Sequence, residues 1–258
     1  MTENQVKILE GNTFVVSDQR GDIEASLSDP TGLFSFDTRF LSRWVLTVDG
    51  QRLTPLSVDD LQYFETRFFL VPGTGTVYVD AKLSVIRHRS VGNGFHEELT
   101  ILNHDAKPVE LTVRIEAGCD FADLFEVKDA VEKKGSYSTR LDDQRLVLAY
   151  QRETFSRSTA ISSSQPCALD EHGLTFQLKL GTLSAPVRYP ELARKLGIAV
   201  GARGEHQPLR DLRRPRIRAH SCRRRCRQSL RPGLKLGWRS AAGLTMFWML
   251  RHKRTCAW

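Results

Sequence analysis

In the first 181 residues apolar side chains recur at every second position, and this period of two constrains the fold more than any other feature. Val77, Val79, Ala81, Leu83 and Val85 point one way, while Tyr78, Asp80, Lys82, Ser84 and His88 fall mostly on the other. Leu99 and Ile101 alternate with His96, Glu98 and Thr100, and Val109, Leu111, Val113 and Ile115 alternate with Glu110, Thr112, Arg114 and Glu116. Leu174, Phe176, Leu178 and Leu180 close the series. One apolar and one polar face per segment is the mark of antiparallel strands with a single buried side. The links carry turn chemistry: Asp49-Gly50, Asn93-Gly94 and the run Asp105 to Pro108. Asp or Asn before Gly supplies the positive φ of tight hairpins. Only Asp120 to Val127 (DFADLFEV) reads as a short helical turn. The pattern predicts an all-β protein, an antiparallel β-sandwich of two stacked sheets over residues 1–184.

Charge divides the chain. Residues 1–185 hold 19 Lys and Arg against 27 Asp and Glu, a balance of −8. Residues 186–258 hold 19 cations, 16 of them Arg, against three acids, a balance of +16, with three of the five Cys and three of the four Trp. Residues 185–258 are therefore expected to be a separate, basic and largely irregular tail. Arg, Cys and Trp without periodicity is what a shifted reading frame in a GC-rich gene yields. A frameshift product starting near 185–205, or a real basic extension, are the two readings of that stretch. No apolar run reaches the roughly 20 residues of a membrane helix, the N-terminus has no signal-peptide pattern, and five Cys do not read as a disulfide framework. A cytoplasmic protein without membrane contact is expected.

Most motifs that could carry chemistry have a plainer reading. Gly73-Thr74-Gly75-Thr76 lacks the Gly-Lys-Ser/Thr of a phosphate loop and reads as a hairpin turn. Glu97 and Glu98 are adjacent on a strand, so they face opposite sides; at most one is inward and needs a partner. His88, His96, His104 and His172 have no metal-ligand spacing, and the set His220, Cys222, Cys226, His252 and Cys256 lies among guanidiniums that oppose a dication. No metal and no cofactor is expected. The Arg run 213–231 could neutralise phosphates, with Trp238, Phe247 and Trp248 as stacking residues, but no recognition fold frames them. Nucleic-acid binding through the tail is the alternative.

The stretch Gly32 to Gly50, GLFSFDTRFLSRWVLTVDG, differs in kind. Asp37 and Arg39 are two apart in an apolar segment, so on a strand they share a face. Burying either alone would cost several kcal/mol, so each should be paired, with the other or with another group. A structural ion pair at a sheet corner is one reading; a polar floor for a sugar-binding cleft is the other. Asp120 and Asp123, flanking Phe121, carry the same two readings.

These residues also carry a resemblance. GLFSFDTRFLSRWVLTVDG, followed by FHEELTILNHDAKPVELTVRIEAGCDFADLFEVK, resembles the N-terminal domain of bacterial glycogen-debranching-type enzymes (amylo-α-1,6-glucosidase-like proteins), from about Lys7 to about Gly181. The resemblance implies a β-sandwich that precedes an (α/α)6 barrel holding the catalytic acids of a glycoside hydrolase. No catalytic residue carries over, because nothing after Gly181 has the helical period to begin such a barrel. Asp37, Arg39, Asp120 and Asp123 match family motif positions and are the candidate substrate-binding residues. What the resemblance implies is a non-catalytic domain, inactive alone, that supports the cleft for a glycogen-like α-glucan when assembled with a catalytic domain. A stand-alone carbohydrate-binding module is the other alternative.

Overall fold

The structure, a computed structural model, describes residues 5–73, 82–92, 94–142, 144–181 and 193–203. Most of the Gly73–Thr76 turn, the alternation over Val77–Ala81 and every tail motif from His220 onward lie outside the described residues.

The described residues form two antiparallel sheets with one short helix, α1, Leu124–Lys128. The smaller sheet has the order β1 (Val6–Glu10), β2 (Thr13–Ser17), β4 (Gly32–Ser35), β5 (Thr38–Leu41). Its register sets Ile8, Val15, Leu33 and Leu41 in one cross-strand row, and all four are buried in the main core. The neighbouring row is Leu9, Phe14, Phe34 and Arg39, which faces the other way because successive strand residues alternate in direction. A register shift between Leu33 and Phe34 lets Phe40 and Leu41 both join the core while Arg39 stays in the outer row.

The larger sheet begins with β12 (Ser136–Asp142), β13 (Arg145–Arg152), β14 (Phe155–Ser163) and β17 (Ala193–Arg203). It continues through β10 (Phe95–Asn103), β9 (Leu83–Val91), β8 (Glu65–Pro72) and β7 (Gln51–Gln62). It ends with β6 (Arg43–Val48), β11 (Val109–Gly118), β16 (Gly173–Leu180) and β15 (Ala168–Asp170), and β3 (Ile23–Glu24) adds to β6. Strand β7 pairs with β6 only at its start, then with β8 through two register shifts, one of them at Pro55. A proline cannot donate to the ladder and is tolerated at such a bulge. The sheet folds back on itself there, so that Trp44 of β6 meets Phe95 of β10 edge to face at 5.6 Å. One continuous core joins both halves and the smaller sheet. This is the all-β, two-sheet architecture expected from the alternation. The inward sets Leu99/Ile101, Leu111/Val113/Ile115 and Leu174/Phe176/Leu178/Leu180 are all buried. Asp49 and Gly50 both have positive φ at the β6–β7 hairpin, as their turn chemistry requires.

The sheet reaches past the boundary drawn at 184. Strand β17 fills the slot between β10 and β14, with Phe95 opposite Val200 on one side and Ile161 opposite the same Val200 on the other. Leu196, Ile198 and Val200 are buried, and they alternate with Gly197, Ala199 and Gly201. Small residues rather than polar ones occupy the outward positions, which hid the period. Among the described residues no helix is long and apolar enough to cross a membrane.

Candidate functional site at the sheet corner

The outer row of the smaller sheet is covered by the segment that follows β11. Phe14 and Phe34 stack at 4.8 Å, and Ala122 and Val127 pack on them as a small second core. The helix of this segment is only five residues long, so its end chemistry decides whether it forms. Asp123 is its N-cap and accepts from the Phe125 and Glu126 amides, while the Glu126 carboxylate accepts from the Asp123 amide, a reciprocal capping box. Asp123 also bridges to Thr38, and the Leu124 amide donates to the Asp37 carbonyl at 2.9 Å. Helix and hairpin are thereby one corner.

Arg39 fastens it. Its side chain is 1% exposed and lies over the Phe34 ring at 5.8 Å. Its Nε donates to both Asp120 carboxylate oxygens at 3.0–3.1 Å, Nη2 donates to Oδ2, and Nη1 donates to the Asp29 carbonyl at 2.8 Å. Gly32 leaves room for this stem: a Cβ there would sit 2.6 Å from Arg39 Cδ and 2.9 Å from the Leu41 carbonyl. The partner of Arg39 is therefore Asp120, not Asp37. The face-sharing argument fails for Asp37 because β4 ends at Ser35 and β5 begins at Thr38, so Asp37 sits in the two-residue loop. It is exposed, and its carboxylate accepts the Thr38 hydroxyl at 2.9 Å. The structure thus gathers all four predicted residues at one corner but divides them: Arg39 and Asp120 hold it together, and Asp37 lies at its surface. Asp123 does both, as helix cap and as a carboxylate one-third exposed.

Two exposed rings complete the corner, and the sequence reading missed both. Phe36, the other loop residue, is 72% exposed, and Phe125 in the first turn of α1 is 74% exposed, with Leu124 beside it. Phe36 has φ +55, a conformation that bulky side chains rarely adopt. Tyr137 closes the far side, donating to the Asp120 carbonyl at 3.0 Å; burial, then the nearby Tyr150 and carboxylates, push its pKa up to about 12.

A second charged cluster is wholly interior. Glu97 is the inward member of the Glu97-Glu98 pair, and it has the partners that position demands. Its Oε2 accepts from Arg89 Nε (2.9 Å) and Nη2 (2.6 Å), and its Oε1 accepts from Trp44 Nε1 (2.9 Å). Arg87 Nε lies 2.9 Å from the same Oε1, near enough for ion pairing but not aimed to donate a hydrogen bond. Arg87 Nη1 donates to buried Asp22 at 2.7 Å, and Asp22 accepts from the Leu46 amide. Burial opposes ionisation of Glu97, but the two guanidiniums outweigh it and hold its pKa below the usual value. Burial pulls Arg89 down, while Glu97 and Asp22 more than offset burial at Arg87. The sequence did carry a signal here: continuing the alternation beyond Val85 puts Arg87 and Arg89 on the inner face.

The remaining candidates form no site. His88 pairs with Glu65 and His104 with Ser84, each at 2.7 Å, and among the described residues no cluster of His, Cys, Asp and Glu could hold a metal. Cys119 is half-buried, its thiol pushed well up by desolvation and donating to the Phe40 carbonyl. A cavity of about 300 Å³ lies between Arg43, Arg114, Glu116 and His172, but Arg43 is engaged by Glu116 and Glu24, and Arg114 by Asp170.

The described residues define an antiparallel, two-sheet all-β domain with a polar corner built from a hairpin and a capped helical turn. Comparison with family models makes the assignment specific. The chain matches the N-terminal domain of (some) glycogen debranching enzymes over residues 8–184, and it belongs to that family. A comparison with curated proteins found no match.

Proposed function

We propose that this chain is the non-catalytic N-terminal domain of a glycogen-debranching-like α-1,6-glucosidase. It would dock on a helical (α/α)6 catalytic barrel and border the cleft for a glycogen-like α-glucan in the cytoplasm. The observation that carries this reading is the corner itself, in a chain that belongs to a debranching-enzyme family. Arg39 and Asp120 fix its shape; Asp37 and Asp123 offer carboxylate oxygens, which accept sugar hydroxyls.

Hydrolysis needs two carboxyl groups across the scissile bond, one to protonate the leaving oxygen and one to activate water or attack. At this corner Asp120 is committed to Arg39, and Asp123 gives Oδ1 to the helix amides while its Oδ2, 3.7 Å from Lys133, can accept a hydroxyl but is held as an ion pair, so neither serves with Asp37 as an acid and base pair. Purified chain should therefore release no glucose from α-1,6-branched oligosaccharides, yet co-sediment with glycogen. Turnover that survives removal of contaminating hydrolases and disappears in Asp37→Asn would overturn the non-catalytic reading. The exposed rings Phe36 and Phe125 favour a second reading, a stand-alone carbohydrate-binding module, for which glycogen retention alone would suffice.

A further inference from the structure

We infer that Phe36 and Phe125 are stacking rings for pyranose units of an α-glucan, with Asp37 and Asp123 accepting the hydroxyls at the edges of those units. This rests on the glucan-facing reading above and deepens it by naming the groups that bind. The two rings flank a single link, the hydrogen bond from the Leu124 amide to the Asp37 carbonyl, so they sit on adjacent parts of one corner. Each is about three-quarters exposed, although both other aromatics of the corner's core, Phe14 and Phe34, are packed against one another. The loop bearing Phe36 is anchored by its amide, which donates to the Asn12 carbonyl at 2.8 Å, and α1 is anchored by its capping box. The rings are thus presented on fixed backbone, which lowers the ordering cost of binding.

Chemistry selects the ligand. A pyranose offers apolar C–H groups on its faces and hydroxyl donors around its rim, and the electron-rich face of an aromatic ring suits the former. Carboxylate oxygens suit the latter: a carboxylate has about four lone-pair positions, and one Asp37 oxygen accepts from Thr38. A protein partner fits less well, because interface cores are depleted of Asp and Glu and need roughly 800 Å² per side. Two rings and a leucine among Asp37, Asp123 and Glu126 do not form such a surface.

The test is co-sedimentation and affinity electrophoresis of the full chain with glycogen, and with cellulose as the β-linked control. The variants are Phe36→Gly, which suits the positive φ, and Phe125→Ala, which suits a helix. Each should weaken glycogen retention at least tenfold with no loss in unfolding midpoint, and neither the native chain nor a variant should bind cellulose. Glycogen retention that persists in both variants would overturn the inference alone and place the glucan elsewhere on the domain. A native chain that glycogen does not retain would remove the glucan-facing reading as well. Self-association in analytical ultracentrifugation that both variants abolish, with glycogen retention unaffected, would make the rings a protein contact and overturn the inference.

Discussion

Replacing Glu97 by Gln tests the interior most directly, because it removes one charge and almost no volume. The native cluster holds Arg87 and Arg89 against Asp22 and Glu97, four formal charges that cancel. Glu97→Gln leaves two guanidiniums against one carboxylate in a site with no exposed side-chain surface on either arginine. Breaking a buried pair in this way costs about 3–5 kcal/mol, a large part of the ~5–15 kcal/mol that a domain has. With a urea slope of about 2 kcal/mol/M, the midpoint should fall by roughly 2 M. The double variant Arg89→Met/Glu97→Gln restores a one-to-one balance between Arg87 and Asp22, and the amide oxygen introduced by Glu97→Gln still offers an acceptor to Trp44. It should recover part of the loss. Recovery stays incomplete because Arg89 also lies over the Phe68 and Phe95 rings at 5.3 and 5.0 Å, contacts worth about 0.5–2 kcal/mol. Urea unfolding of the native chain and the variants measures the coupling as a double-mutant cycle. A single variant within about 1 kcal/mol of the native protein, or a double variant no better than the single, would refute the charge-balance argument.

At the corner, Asp120→Ala should destabilise strongly by chemical unfolding, since it strips the carboxylate from buried Arg39, whereas Asp37→Ala should stay within about 1 kcal/mol. Ending the chain after residue 184 removes β17 and the burial of Leu196, Ile198 and Val200, each worth about 1.5–3 kcal/mol as an upper estimate; a chain ending after Arg203 should keep the native urea midpoint and the shorter one should lose most of it. On acidification, His96 is held below its ordinary 6.5 by burial, so stability is complete above that pH and declines as the unfolded chain takes up the proton first. A steeper loss should follow below the ordinary 4.5 of Glu97, whose folded pKa is depressed, and His96→Gln should remove the first phase from a pH series of midpoints while leaving the second.

Much of the fold was legible because burial on one face of a strand writes itself into every second residue, as in Val109 to Ile115. The same rule failed in instructive places. Strand β17 was illegible because Gly197, Ala199 and Gly201 take the outward positions where a polar residue would have marked the period. Arg87 and Arg89 sit inward on β9 although charge argues for the surface; Glu97 lies directly opposite Arg89 across the β9–β10 hairpin, but Asp22, the partner of Arg87, is distant in sequence and periodicity carries no information about that pairing. The predicted site residues were found as a group, but the true partner of Arg39 was not to be had from spacing. It required knowing that the strand breaks at Ser35, and Phe36-Asp37 lacks the Asn-Gly or Asp-Gly signature that identifies a two-residue hairpin. Nothing in the sequence marks Phe36 and Phe125 as exposed, since an aromatic side chain is ordinarily buried.

The two charged clusters solve different problems with the same residue types. The interior cluster has three guanidinium nitrogens, Arg87 Nε and Nη2 and Arg89 Nη1, without a hydrogen-bond acceptor among the described residues. It holds the Asp18–Asp22 turn to the sheet through the Arg87–Asp22 ion pair and hydrogen bonds from Arg87 and Arg89 to the Arg20 and Gly21 carbonyls. Arg39 has no such unpartnered nitrogen, because it reaches three carbonyl acceptors, at Asp29, Thr31 and Ser26, in addition to Asp120. It therefore ties the 26–31 segment, the β4–β5 hairpin and the segment leading into α1 to one another. A corner fixed this way can leave Asp37, Phe36 and Phe125 exposed without letting them wander, which is what a binding edge requires. Arg39 on this argument is a positioning residue. Arg39→Met should lower glycogen retention with no contact of its own to the glucan, and the loss should come with increased protease sensitivity of the 118–134 segment. Phe125→Ala should lower retention and leave that segment as protected as in the native chain, so limited proteolysis beside the retention assay tells positioning from contact.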